Sequence, residues 1–145
     1  MAAEHTASAT WTGDLMGGSG SFSLGSGAAR DVGLTWRARA EDASAGTSPE
    51  ELIAAALASC FSMALAHGLA QAGTPAQRIE TDATATFDRT EEGFRVTAIR
   101  LSVRGQLDGA DEAAFREAAQ TAKENCPVSK ALEGNVAIEL DAALA

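Results

Sequence analysis

The segment TSPEELIAAALASCFSMALAHGLAQAGTP, Thr47 to Pro75, decides the architecture. It reads as one long helix. Ser48 and Glu51 have the S-x-x-E spacing of a capping box, in which the Ser hydroxyl accepts an otherwise orphaned N–H. Pro49 falls at the first helical position, where a missing N–H does no harm. The helix is predicted to run from about Pro49 to Gly68 or beyond and to stop near Gly73-Thr74-Pro75. Ile53, Leu57, Cys60, Phe61, Ala64 and Leu65 leave it almost no polar face, and a helix apolar all round has to be covered all round. Its length invites a transmembrane reading. Its many alanines, the residues Ser59, Ser62, His67 and Gly68, and the Glu50-Glu51 start favour a buried helix instead.

Short strands flank this helix. Ala7 to Gly13 alternates small and polar residues around Trp11, and with Ser21 to Leu24 it predicts a hairpin around Gly17-Gly18. Val32 to Ala38 alternates again and predicts a third strand, with Arg39 just beyond it and a loop over Glu41 to Ser48. After the helix, Arg78 to Asp88 alternates Ile79, Ala83, Ala85 and Phe87 with polar residues, and Glu91-Glu92-Gly93 makes a turn. In Phe94 to Val103 the apolar phase slips from Phe94, Val96, Ala98 to Ile99, Leu101, Val103, which predicts a bulge that curls the sheet. Ala110 to Asn125 is a second amphipathic helix, broken at Cys126-Pro127. Val128 to Leu132 adds a helical turn, and Val136, Ile138 and Leu140 form a last strand. The pattern is α+β, and 145 residues suit a single domain over 1–145.

Charge narrows the function. Lys and Arg total 11 against 20 Asp and Glu, a net charge of −9, and the basic residues never cluster. A nucleic-acid partner or an anionic membrane surface would want clustered Lys and Arg. Two cysteines are too few for a disulfide-stapled secreted scaffold. The N-terminus lacks the basic and apolar regions of a signal peptide, and the expected location is cytoplasmic.

Few residues are candidates for chemistry. No CxxC, HExxH or paired-His motif is present, and Cys60 and His67, seven residues apart on one helix, stand about 10 Å apart along its axis. A zinc ion needs its ligands at about 2.0–2.3 Å, so no metal site is expected. The Gly17-Gly18-Ser19-Gly20 run lacks the P-loop lysine. On composition Cys60 reads first as a small buried hydrophobe in a packed helix. Cys126 stands where a helix breaks, so exposure or the start of the next helical turn would raise its reactivity; the plain reading is a residue that merely packs. An arginine beside a thiolate lowers its pKa, and a carboxylate can hold that arginine in place through a bidentate pair. Arg39 and Glu50 are the candidates, since Glu51 is taken by the capping box.

The segments TSPEELIAAALASCFSMAL (Thr47 to Leu65) and AKENCPVSKAL (Ala122 to Leu132) resemble the two cysteine motifs of the OsmC/Ohr family of organic hydroperoxide reductases. The similarity extends from Trp11-Thr12-Gly13 to the final strand. It implies curled antiparallel sheets around long central helices in an intertwined homodimer, with active sites at the subunit interface. It also implies a cysteine-based peroxidase that needs no metal, haem or other cofactor. Residue by residue, Cys60 matches the peroxide-attacking cysteine, Cys126 the resolving cysteine, and Glu50 the partner of the catalytic arginine. Arg39 is the best match to that arginine, and Arg37 its rival. The Gly-rich region DLMGGSGSFSLGSG holds no arginine where the Ohr branch has one, which, together with CPVS, places the chain nearer the OsmC branch.

The implied cycle reduces organic hydroperoxides to alcohols through a Cys60 sulfenic acid and a Cys60–Cys126 disulfide, which an external dithiol, typically a lipoyl group in this family, then reduces. The alternative is a non-catalytic ligand-binding or redox-sensing protein on the same fold.

Overall fold

The computed structural model describes all 145 residues, which form two compact units, Met1–Leu52 and Ile53–Ala145. The first contains an antiparallel sheet ordered β1 (Ala7–Thr12), β2 (Ser19–Leu24), β3 (Val32–Leu34). Trp11 pairs with Gly20 across the hairpin. A Cβ on Gly20 would come within 2.7 Å of the indole, so glycine is what lets the ring lie against the neighbouring strand. Every residue of β1 is exposed.

One expected element changes type. Pairing of the third strand stops at Leu34, and Trp36–Ala40 is a helix, α1. Thr35 is extended and its Oγ1 accepts the Ala38 N–H at 3.2 Å, a capping bond that starts the helix where alternation predicted more strand. Arg37 and Arg39 therefore project from helical positions rather than from the end of a strand.

The long helix, α2, spans Pro49–Gln71. Its start and stop follow the sequence. Ser48 Oγ accepts the Glu51 N–H at 3.1 Å. At the other end Gly73 is left-handed (φ +81°), and the Thr74→Leu69 and Gly73→Ala70 N–H···O=C bonds close a Schellman motif. Ser59 and Ser62 are accommodated because each hydroxyl donates to the carbonyl four residues earlier, Ala55 and Ala58.

The second unit pairs β4 (Arg78–Thr90) with β5 (Gly93–Gln106) antiparallel, and the register slips between Thr86 and Phe87, leaving Thr97 as the extra residue. This is the expected bulge. Beyond it Ile99, Leu101 and Val103 alternate inward, each fully buried. They meet Leu57, Phe61, Leu65 and Leu69, a stripe at helical spacing on α2, and Phe115 and Ala119 of α3 (Glu112–Asn125). Each buried Leu or Phe contributes roughly 1.5–3 kcal/mol. Asp111 caps α3, its Oδ1 accepting the Ala114 N–H at 2.8 Å. A short helix, α4 (Pro127–Leu132), follows, and then β6 (Ala137–Leu144).

The α+β class stands, with one departure from all-antiparallel sheets: β6 lies parallel to β5. The cause is the connection, since α3 and α4 carry the chain back to the starting end of β5 before β6 begins. The opposite side of α2 stays in water in a single chain. Ala55, Ala56, Met63, Ala66 and Ala70 are all exposed, Met63 by 74 %.

Candidate active site

Cys126 owes its position to Pro127. Proline lacks an N–H and disfavours helical backbone in the preceding residue, and Cys126 leaves α3 with ψ 123°. Its own N–H still closes the last turn of α3 onto Ala122 O at 2.9 Å, while its carbonyl accepts the Lys130 N–H at 3.0 Å and opens α4. Cys126 is thus both the last cap of one helix and the first cap of the next. Its side chain is fully buried. From the cap position the sulfur lies over the N–H groups of Val128 and Ser129 without closing a short capping bond.

Cys60, half-buried in the middle of α2, meets Cys126 thiol to thiol. The two groups titrate as a pair. Burial pushes the Cys60 thiol up, and so does the hydrogen bond with Cys126; the Val128 N–H opposes both and loses. At Cys126 burial also works against the thiolate, but the Cys60 thiol, the Ser129 amide and hydroxyl and the Val128 amide, all close enough to favour a charged sulfur, outweigh it and hold the group below the usual thiol value.

In the first unit, Arg39 of α1 engages Glu50 in the first turn of α2. Nη2 donates to Oε1 at 2.8 Å, and Nε lies 3.1 and 3.2 Å from the two carboxylate oxygens. Glu50 is 5 % exposed, one of only two buried polar residues in the chain. Its charge is compensated by a guanidinium, as a buried carboxylate requires. The rival, Arg37, is turned to local duty on the surface, bonding Asp42 Oδ2 at 3.0 Å. The Ser44 hydroxyl and N–H, and then Arg37, hold the Asp42 carboxyl below the usual carboxylate range.

The expected residues thus fall into two pairs, Cys60 with Cys126 and Arg39 with Glu50. No three His, Cys, Asp or Glu side chains converge on a point where a metal ion would fit. Sequence reading passed over Ser129, whose Oγ is buried and has no partner at hydrogen-bonding geometry. The spacing held the signal: a serine three residues after a cap residue occupies the position from which a capping-box side chain reaches back.

A family model described as OsmC-like protein matches residues 41–141, a span that contains Glu50, Cys60 and Cys126 and begins two residues after Arg39. The chain is 38 % identical over 131 residues to "Peroxiredoxin OsmC" of Escherichia coli, covering 90 % of this chain and 91 % of that one. It is 32 % identical over 117 residues to "Organic hydroperoxide resistance protein OhrA" of Bacillus subtilis, covering 78 % and 79 %. The crystal structure of the organic hydroperoxide resistance protein OhrB of Bacillus subtilis superposes with a TM-score of 0.74 at 29 % identity, over 94 % of this chain and 97 % of that one.

Proposed function

The chain belongs to the OsmC-like protein family, and from that premise we propose that it is a thiol-dependent peroxidase that reduces organic hydroperoxides to alcohols. The observation that carries this reading is the thiol-to-thiol contact of Cys60 with Cys126. Two cysteines far apart in sequence that meet thiol to thiol are placed to exchange a bond.

Cys60, as thiolate, attacks the distal oxygen of the hydroperoxide. The O–O bond breaks, the alkoxide leaves and is protonated to the alcohol, and Cys60 becomes a sulfenic acid. Cys126 then displaces hydroxide from that sulfur, which leaves as water, and an external dithiol reduces the resulting disulfide. Cys60 is the attacking sulfur because it is the more accessible of the two.

Its local surroundings push this thiol up, so attack near neutral pH calls for a cation. Arg39 fills that role. Its charge favours the thiolate and then the developing alkoxide, where electrostatic help counts most. Glu50 keeps the guanidinium oriented.

The assembly is a homodimer that covers the exposed apolar side of α2 with a second copy across a two-fold axis, with the active sites at the subunit interface. The compartment is the cytoplasm, where a reducing dithiol pool is at hand.

The deciding measurement adds one equivalent of an organic hydroperoxide, such as cumene hydroperoxide, to reduced protein. One equivalent of alcohol should form, both thiols should vanish, and the intact mass should fall by two hydrogens. With excess dithiol the protein should turn over. Absence of alcohol and retention of both thiols would end this reading in favour of a non-catalytic protein.

A further inference from the structure

We propose that Ser129 is a positioning residue for this thiol pair: its buried hydroxyl donates to the Cys126 sulfur whenever that sulfur carries charge, and so directs the reducing dithiol onto Cys60. The proposal rests on the peroxidase reading above.

The starting point is an unmet hydrogen bond. Ser129 Oγ is the one buried side-chain nitrogen or oxygen in the chain without a partner, in a residue only 7 % exposed. A buried hydroxyl left unpaired destabilises the fold, and an alanine there would be free of that cost. Ser129 lies three residues after Cys126, in the first turn of α4, at the capping-box spacing that brings its hydroxyl near the Cys126 sulfur. A neutral thiol is a weak acceptor, whereas a thiolate is a strong one. The missing partner is therefore present in only one state of the cycle.

The consequence is directional. Cys126 is fully buried and Cys60 only partly so, so an incoming thiolate reaches the disulfide at Cys60. A bond forms between the reductant sulfur and Cys60 Sγ. The Cys60–Cys126 bond breaks, and its electron pair leaves on Cys126, which accepts the Ser129 O–H together with the Val128 and Ser129 N–H groups. The second thiol of the reductant then attacks its own sulfur in the mixed disulfide, releasing Cys60 and a cyclic disulfide. A better-stabilised leaving thiolate departs faster. The same hydroxyl serves the forward direction, since Cys126 must be a thiolate to displace hydroxide from the Cys60 sulfenic acid.

Two measurements test this. In a Cys60→Ala background, where Cys126 is the only thiol, thiolate absorbance near 240 nm is followed against pH, with Ser129 intact, Ser129→Ala and Ser129→Thr. The midpoint should rise by about one pH unit in the alanine variant and stay near the parent value with threonine. This readout needs no peroxide, so it stands or falls separately from the peroxidase reading. In the otherwise native chain, the isolated disulfide is treated with a monothiol and the mixed disulfide located by mass spectrometry. The adduct should sit on Cys60, and reduction by dithiothreitol should slow severalfold in Ser129→Ala. An unmoved midpoint in Ser129→Ala, or an adduct on Cys126, would overturn the proposal.

Discussion

Arg39 grips Glu50 through both Nε and Nη2, the shortest contact being 2.8 Å, although the guanidinium is about one-third exposed and the carboxylate almost fully enclosed. The asymmetry assigns different jobs to the two ends: the carboxylate is structure, and the guanidinium still has a face toward solvent. Arg39→Ala should leave a buried carboxylate unpaired and lower stability by about 1–3 kcal/mol, read as a shift in the urea midpoint. It should also slow peroxide consumption by orders of magnitude. Arg37→Ala removes only an exposed pair with Asp42 and should change stability by less than about 0.5 kcal/mol, with activity retained. A reversed ranking of the two variants would move the catalytic charge to Arg37.

The same arginine should set the pH profile. Burial and Cys126 both push the Cys60 thiol up, and a raised thiol is protonated until the pH climbs past it. In Arg39→Ala the rate of peroxide attack should keep rising with pH well above the ordinary thiol range, roughly pH 8.5. The native protein should reach its plateau earlier. Stopped-flow measurement of the first turnover across pH separates the two curves, and coincident curves would remove Arg39 from the ionisation of Cys60.

The two cysteines should fail differently. Cys60→Ser is nearly isosteric and should abolish peroxide consumption while leaving the thermal transition in place. Cys126→Ser should still consume one equivalent and leave a sulfenic acid at Cys60 that dimedone traps. Turnover by the Cys60→Ser protein would contradict the assignment.

Close approach of β5 to α3 makes Gly105 a sensitive position. A Cβ there would stand 2.3 Å from Phe115 Cε2, and Phe115 is fully buried. Gly105→Ala should destabilise by about 1–3 kcal/mol through overpacking, visible in the denaturation midpoint. Gly33→Ala meets open space and serves as the control.

Met63 tests the assembly. It is 74 % exposed in a single chain, so Met63→Glu should be harmless to a monomer. In a dimer built on this side of α2, burying more than about 2,000 Å², the new charge should dissociate the protein on light scattering at low micromolar concentration. A native species of one chain's mass would overturn the dimer.

Legibility from the sequence followed how local the deciding interaction was. The ends of α2 were readable because Ser48, Pro49 and Gly73 act within one turn, and the bulge at Thr97 because the apolar phase slips within a single strand. The α1 segment was misread since Val32, Leu34 and Trp36 alternate as a strand would; the Thr35 cap, one hydrogen bond, overrules them. The parallel placement of β6 depends on where α3 and α4 return the chain, which no local pattern encodes. Of the site, Glu50 was legible by elimination beside the capping box, and its grip on Arg39 agrees. Cys126 was legible as a cap residue through Pro127. Its pairing with Cys60 was legible only through the resemblance of the two motifs, because 65 residues of intervening chain fold before the two meet.

The parallel pairing of β5 with β6 has a bearing on biosynthesis. A parallel connection has to return across the sheet, and Cys126 lies within this one, between α3 and α4. Cys60 leaves the ribosome long before it, on a helix whose inner stripe still lacks β5 and α3 to cover it. A nascent chain that met an oxidant at that stage would carry an unresolved sulfenic acid, open to irreversible oxidation. The resolving partner is enclosed only as the long-range pairing around it is completed, and such pairing is slow to form. On the proposed peroxidase cycle, protection against self-inactivation is acquired late, as a property of the finished molecule, and an abrupt oxidative burst should damage newly made copies in preference to old ones.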